Sequence, residues 1–287
     1  MEPIEGRRGI ALLLEYDGTD FAGSQVQPGK RTIQGVTEDA LEEFTGERDR
    51  VAFAGRTDTG VHASGQVAAL STRSTHSAAT FRDALNHFLP QDVVVRSAAE
   101  VAVDFDPRRH ASSRVYQYRI EDGLGAVTRR PLGRLRAWQL GRPLDVPAMA
   151  EALALLPIGV EQDWAAFAGA VPEDYPTVRT MLDARVERCG PHDVRVTLEA
   201  TGFLPHQVRM TVGALERVGG GRLTPQEFAG LVDGLPGTAG PAAPPQGLTL
   251  VSVGYPAGIV EFETVELAAA APSDADSAGA DLASNGD

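Results

Sequence analysis

The chain has 287 residues, 43% of them hydrophobic, and a net charge of −13. That length and composition suit a soluble globular protein of one large or two moderate domains and exclude a disordered chain. No run of 18 apolar residues offers a membrane span, "MEPIEGRRGIALLLEYDG" lacks the order of a signal peptide, and the lone Cys189 cannot close an internal disulfide, which points to the cytoplasm.

In chain order, "RGIALLLEY" from Arg8 reads as a strand with a buried middle, and "DGTDFAGSQVQPGKR" as a loop rich in turn residues. "TIQGVTEDALEEFTG" is predicted as a helix with Thr32 as N-cap and Ile33, Val36, Ala40, Leu41 and Phe44 on one face. "RVAFAG" is strand-like, and "GRTDTGVHAS" is a loop leading to a strand in "QVAALST". "AATFRDALNHFLP" is a helix stopped by Pro90. "DVVVRSAAEV" and "SSRVYQYRIED" are strands, the second with two different faces.

"VPAMAEALALLP" is the next helix, and "VRTMLDARVERCG" and "DVRVTLEATG" form an antiparallel hairpin. "LPHQVRMTVGALERVGGG" is a helix with Pro205 near its start and Val208, Val212, Leu215 and Val218 at helical spacing. "TPQEFAGLVDG" is a short helix capped by Thr224, and "GLTLVSVGYP" is the last strand. Strands outnumber helices, which predicts α+β with an antiparallel sheet and helices on one face. The chain divides into an N-terminal half (1–110), a C-terminal half (111–260) and an acidic tail (261–287) too rich in Ala, Ser, Asp and Gly to bury a core.

The acidic total argues against a nucleic-acid partner, but the charge is uneven. From Glu261 onward there are seven acidic residues and no Lys or Arg, whereas Pro107–Arg142 holds nine arginines against Glu121 and Asp122. Only Lys30 is lysine. Arginine suits bidentate phosphate contacts, and an Arg-favouring codon bias accounts for the same usage.

No zinc spacing occurs among the six histidines and Cys189. Asp104 and Asp106 have a spacing that can hold a divalent ion, and a solvated strand end explains them as well. "VGGGRLTP" follows a helix and is a helix stop, not a phosphate cradle. The loop Arg56–His62 remains. Asp58 reads either as a turn residue beside a Gly60 of positive φ, or as a carboxylate poised as nucleophile or base, since a neighbouring arginine favours the charged form of an aspartate.

"GRTDTGVHASGQV" resembles the signature of the tRNA pseudouridine synthase A family. "EYDGTDFAGSQVQ", "LNHFLPQDVVV…DFDPR…SSRVYQYRI", "DWAAFAG", "GFLPHQVRMTVGALERVGGG" and "APPQGLTLVSVGYP" resemble further family segments, collinear from about Ile10 to Pro256. The resemblance implies isomerisation of uridine to pseudouridine at positions 38 to 40 of the tRNA anticodon stem-loop. It implies a pseudouridine synthase fold, with two α/β-sandwich-like halves sharing a continuous antiparallel sheet around a central cleft, and a homodimer holding tRNA. Breaking the C1′–N1 bond and joining C5 to C1′ involves no redox change and no donated group, so the resemblance implies neither cofactor nor metal.

By the same resemblance Asp58 matches the nucleophile. Tyr116 matches an active-site tyrosine that packs on the target base, with core packing as its alternative. Arg209 matches an arginine that pairs with the carboxylate, with an exposed helix charge as its alternative, because it lies off the apolar stripe. Arg56 matches an arginine that displaces the target base. His62 reads as a loop stabiliser, and Pro107–Arg142 as the phosphate-contacting region. Thr59 stands where the family usually has Ala, and Ser24 where Trp is common. Two other readings fit the same residues: a specialised relative serving a C-nucleoside pathway or another RNA, and an RNA-binding module without catalysis.

Overall fold

The apolar run Ile10–Leu14 forms the middle of strand β1 (Arg8–Tyr16), and Ile10, Ala11 and Leu12 are buried on both faces of the sheet. β1 pairs antiparallel with β3 (His62–Thr72) on one side and β4 (Val93–Val101) on the other. The computed structural model describes residues 6–126 and 129–263, so most of the acidic tail, residues 264–287, lies outside the described residues. Within them a single sheet runs in the order β4-β1-β3-β10-β5-β9-β8-β7. Here β5 is Ser113–Glu121, β7 Glu161–Asp163, β8 Val178–Gly190, β9 Asp193–Ala200 and β10 Leu248–Gly254. Two short strands sit off this path: β2 (Ala52–Phe53) on β3, and β6 (Trp138–Gln139) on β5.

The predicted antiparallel sheet needs one correction. β10 pairs with β3 in parallel, Thr249 opposite His62 and Leu250 opposite Ala63, and β6 is also parallel to β5. β10 returns from the end of the fold and wedges between β3 and β5, which no local hairpin could join. At this seam a Cβ on Gly65 would lie 2.1 Å from the Val251 carbonyl oxygen, so the close approach requires glycine there.

The helices follow their local signals. Thr32 caps α1 (Ile33–Thr45) by accepting from Gly35 N–H at 3.1 Å. α2 (Ala78–Phe88) ends where Leu89 turns extended ahead of Pro90. Asp145 caps α3 (Val146–Ala154), and Thr224 with Glu227 forms a capping box on α5 (Pro225–Gly230). α2 packs on β4, α1 against α2, and α3 against β8, α4 (Gln207–Gly219) and α5. Trp164, Phe167 and Phe228 are fully buried within this second helical group, with Phe167 meeting each of the other two rings.

Strand β3 begins at His62 rather than at Gln66, which places His62 on the strand and not in the loop before it. It is buried and joins separate segments. Its Nδ1 accepts from Gly18 N–H at 3.1 Å, so its Nε2–H donates toward Leu135 O at 2.9 Å and Gln246 O at 3.2 Å. Burial, with help from the Arg136 charge, pushes the imidazole below its ordinary pKa and holds it neutral.

Candidate active site

The segment Gly55–Gly60 connects β2 to β3, and side chains from other elements hold its backbone. Gly55 N–H donates to Gln66 Oε1 at 3.2 Å, and Gln66 Nε2 donates back to Gly55 O at 2.7 Å. Thr57 N–H donates to Ser24 Oγ at 2.9 Å, while Ser24 N–H donates to Thr57 O at 3.0 Å. The Thr57 hydroxyl meets the Tyr16 hydroxyl at 2.8 Å, and Gln66 Nε2 also reaches Tyr16 Oη at 3.3 Å. Gln66 and Ser24 are completely buried, so each such bond satisfies a polar group that water cannot reach. A shift in register between Leu14 and Tyr16 occurs where Tyr16 meets this loop. Beyond Thr57 a turn closes through Val61 N–H to Asp58 O at 3.1 Å, with Gly60 at φ +77°.

Asp58 is not engaged in that turn. Its carboxylate Oδ2 accepts from Arg209 Nη1 at 2.9 Å, across 151 residues of chain. The Arg209 Nε donates to Ala243 O at 2.8 Å, so the guanidinium is fixed at both ends. Arg209, which sequence spacing left between two alternatives, is thus paired with Asp58 and largely withdrawn from solvent. The segment leading from β9 into α4 supplies the facing wall. His206 caps α4 at φ +61°, the one non-glycine residue of positive φ among the described residues. Its Nε2 lies 3.5 Å from the same Asp58 oxygen. A non-glycine residue held in the left-handed region beside a charged cleft is the kind of strain that accompanies functional sites.

Tyr116, on β5, is 7% exposed and meets Phe203 edge to face at 5.3 Å. Burial, reinforced by Tyr16 and Asp58, raises its pKa far above that of free tyrosine, so the ring is a neutral phenol at neutral pH. Its strand neighbour Tyr118 faces the same side but is wholly buried, donating to Pro244 O at 2.6 Å. Core packing therefore describes Tyr118, whereas Tyr116 lines the cleft. Arg56 is exposed on the cleft wall, with no side-chain hydrogen bond or ion pair among the described residues. Together these groups surround a cleft of about 670 Å³, large enough for a nucleoside-sized group. A fixed carboxylate, a paired cation, a neutral phenol and an aromatic edge around one cavity can hold a planar ring and present a nucleophile to it.

A family model described as tRNA pseudouridine synthase matches residues 13–108 and 161–256. A tRNA pseudouridine synthase A of Chloroflexus aurantiacus is 44% identical over 264 residues, which span 89% of this chain and 91% of the relative. The enzyme so named from Geotalea uraniireducens is 41% identical over 86% of this chain and all of the relative, and that from Myxococcus xanthus is 43% identical over 86% and 91%. The chain belongs to the tRNA pseudouridine synthase A family.

Of the residues this family resemblance singles out, Asp58, Arg209 and Tyr116 converge on the cleft, and Arg56 stands on its wall. Asp106 is instead a turn cap, its Oδ1 accepting from the amides of Arg108 and Arg109. Ser24, which replaces the Trp common in the family, has a clear role as the acceptor that holds Thr57. Thr59 is exposed at the tip of the turn, and nothing in the structure explains its replacement of Ala. Sequence reasoning passed over Tyr16, Gln66, Phe203 and His206. Only Gln66, a polar residue within the apolar run "QVAAL", carried a signal that could have drawn attention.

Proposed function

We propose that this protein isomerises uridine to pseudouridine in tRNA, at positions 38 to 40 of the anticodon stem-loop, with Asp58 as the nucleophile. The observation that carries this reading is the Asp58–Arg209 pair at 2.9 Å, set beside a cleft that also contains Tyr116. Arg56 displaces the target base from its stack. The extruded uracil lies on the Tyr116 ring, and Phe203 fixes that ring from its edge. Asp58 then initiates cleavage of the C1′–N1 bond. The uracil turns in the cleft, C5 bonds to C1′ with Asp58 restored as a free carboxylate, and the C5 proton is lost to water while N1 takes one up. Substrate and product have the same composition, so the balance needs no co-reactant. Because Tyr116 is a neutral phenol, it orients the base and relays a proton rather than acting as a phenolate. Arg209 aims the carboxylate and compensates its charge.

The arrangement favours catalysis over an RNA-binding module, because binding alone gives no reason to hold a carboxylate away from its own turn and pair it with a distant arginine. The reading carries with it a homodimer in the cytoplasm, as the resemblance implies, and a division of labour in which residues 1–110 bring Asp58 and residues 111–260 bring Tyr116 and Arg209. The experiment is tritium release from [5-³H]uridine-labelled tRNA, followed by mapping of the product. Wild type releases label with pseudouridine at 38 to 40, and Asp58→Ala releases none. Tight tRNA binding without release from wild type overturns the catalytic reading, and pseudouridine at other positions overturns the site assignment.

A further inference from the structure

The same cleft reaches away from Asp58 to a group of three guanidiniums, those of Arg108, Arg114 and Arg179. Arg114 is 7% exposed and has no carboxylate partner among the described residues. It donates instead to backbone carbonyls: Ala54 O at 3.0 Å, Arg108 O at 2.6 Å and Thr201 O at 2.8 Å. Those acceptors belong to both walls of the cleft, Ala54 just ahead of the Asp58 loop and Thr201 at the start of the segment leading to His206. Arg108 is exposed and its side chain forms no ion pair among the described residues. Among the described residues the Arg179 side chain has only a hydrogen bond to Val178 O, at 2.6 Å, and it lies against Gly202, where a Cβ would come within 3.4 Å of its Nε. Burial first, and then the charges of Arg108 and Arg179, lower the Arg114 pKa.

Many of the other arginines in the fold have carboxylate partners. Arg31 pairs with Asp92, Arg119 with Asp193, Arg136 with Asp17 and Arg188 with Asp122. In a chain with 39 acidic against 26 basic residues, carboxylates are in excess. Three neighbouring guanidiniums without one, one of them buried, are mutually repulsive until an anion arrives. Tyr175 lines the same cleft, and the exposed fork of Arg108 and the half-buried fork of Arg179 suit the tetrahedral oxygens of a phosphate.

Building on the proposed isomerisation, we propose that Arg108 and Arg179, backed by the buried Arg114, form a subsite for one backbone phosphodiester adjoining the nucleotide whose base enters beside Tyr116. The subsite anchors the strand while the base is turned, so its loss weakens RNA binding more than it slows the bound complex.

The test uses the full chain, the double variant Arg108→Gln/Arg179→Gln, and stem-loop RNAs in which single phosphodiesters near the target uridine are replaced in turn by uncharged methylphosphonates. The expected results are a roughly tenfold weaker binding of unmodified RNA by the double variant, with the slope of log affinity against log salt smaller by about one. At one linkage the methylphosphonate weakens wild type by a similar factor and leaves the double variant unchanged. Arg108→Lys/Arg179→Lys recovers part of the salt slope. Equal weakening of wild type and double variant at every linkage overturns the subsite, as does an unchanged salt slope. These are binding measurements. A wild type that forms no pseudouridine removes the catalytic reading, while an active wild type with additive methylphosphonate effects removes only the subsite.

Discussion

Asp17 and Asp58 each open a short turn in a connection leaving a strand, one followed by Gly-Thr and the other by Thr-Gly. Asp17 Oδ1 accepts from Thr19 N–H at 3.1 Å and from the Thr19 hydroxyl at 2.6 Å, and Oδ2 accepts from Arg136 at 2.9 Å. Its carboxylate closes its own turn. The Asp58 turn is closed by backbone alone, through Val61 N–H and a left-handed Gly60. Its carboxylate is turned outward to Arg209, and it remains about one-third exposed to the cleft. The difference shows what separates a structural aspartate from an available one. When buried partners such as Ser24, Gln66 and Tyr16 satisfy a loop, its acid is not needed to hold the turn.

The sharpest way to break this comparison is to truncate both residues. Asp58→Ala is expected to lower the single-turnover rate at least about a thousandfold, the scale at which loss of a nucleophile reads out, with little change in thermal unfolding. Asp17→Ala is expected to do the reverse. It loses local turn bonds of about 1 kcal/mol in sum, which lowers Tm by a few degrees in a chain of this size, and the rate stays within about threefold. Loss of catalysis in Asp17→Ala equal to that in Asp58→Ala removes the distinction.

The arginine partners extend the contrast with a smaller effect. Arg209 holds Ala243 O with Nε and Asp58 with Nη1, a geometry that a lysine ammonium cannot reproduce at both ends. Arg209→Lys is therefore expected to reduce the single-turnover rate by about ten- to a hundredfold, or roughly 1.4–2.8 kcal/mol in the barrier. Arg136, more than half exposed beside Asp17, forms a pair of the weak surface kind, and Arg136→Lys should leave both rate and Tm nearly unchanged. A fully active Arg209→Lys would show that only charge matters at that position, and not the fixed orientation of the guanidinium.

The contrast also marks how far the sequence is legible. The caps at Thr32 and Thr224, the stop before Pro90 and the β8–β9 hairpin were readable because their partners lie within a few residues. Asp58 stood out through collinear motifs, whereas its own turn chemistry pointed first to a structural role. The parallel β3–β10 seam was not, since its partners are nearly 190 residues apart and each strand reads alike in either direction. Ser24 looked like a departure from the family pattern, and only the fold shows it accepting from Thr57, 33 residues away. His206 gave no warning of its positive φ, because the constraint comes from the path into α4.

Tyr16 supports the smallest and most specific prediction. Its hydroxyl joins Thr57 and Gln66 beneath the Asp58 loop, so Tyr16→Phe is expected to cost about 1 kcal/mol at neutral pH, the scale of a buried hydrogen bond. Burial raises this phenol to a pKa of about 12, against about 10 for tyrosine in an unfolded chain. Between those values the unfolded state releases the proton and the folded state retains it, so the contribution of Tyr16 to stability falls as pH rises. Below about pH 10 that contribution is fully present; it declines through the interval up to about 12. The stability gap between wild type and Tyr16→Phe should therefore narrow over that interval in denaturant titrations, each pH taken on both proteins so that the other buried tyrosines cancel. A gap that stays constant across it would mean that the Tyr16 hydroxyl is solvated and does not hold the loop. The segment leading to Asp58 would then be held by Ser24 and Gln66 without Tyr16, which makes the contrast with Asp17 narrower but leaves its direction unchanged.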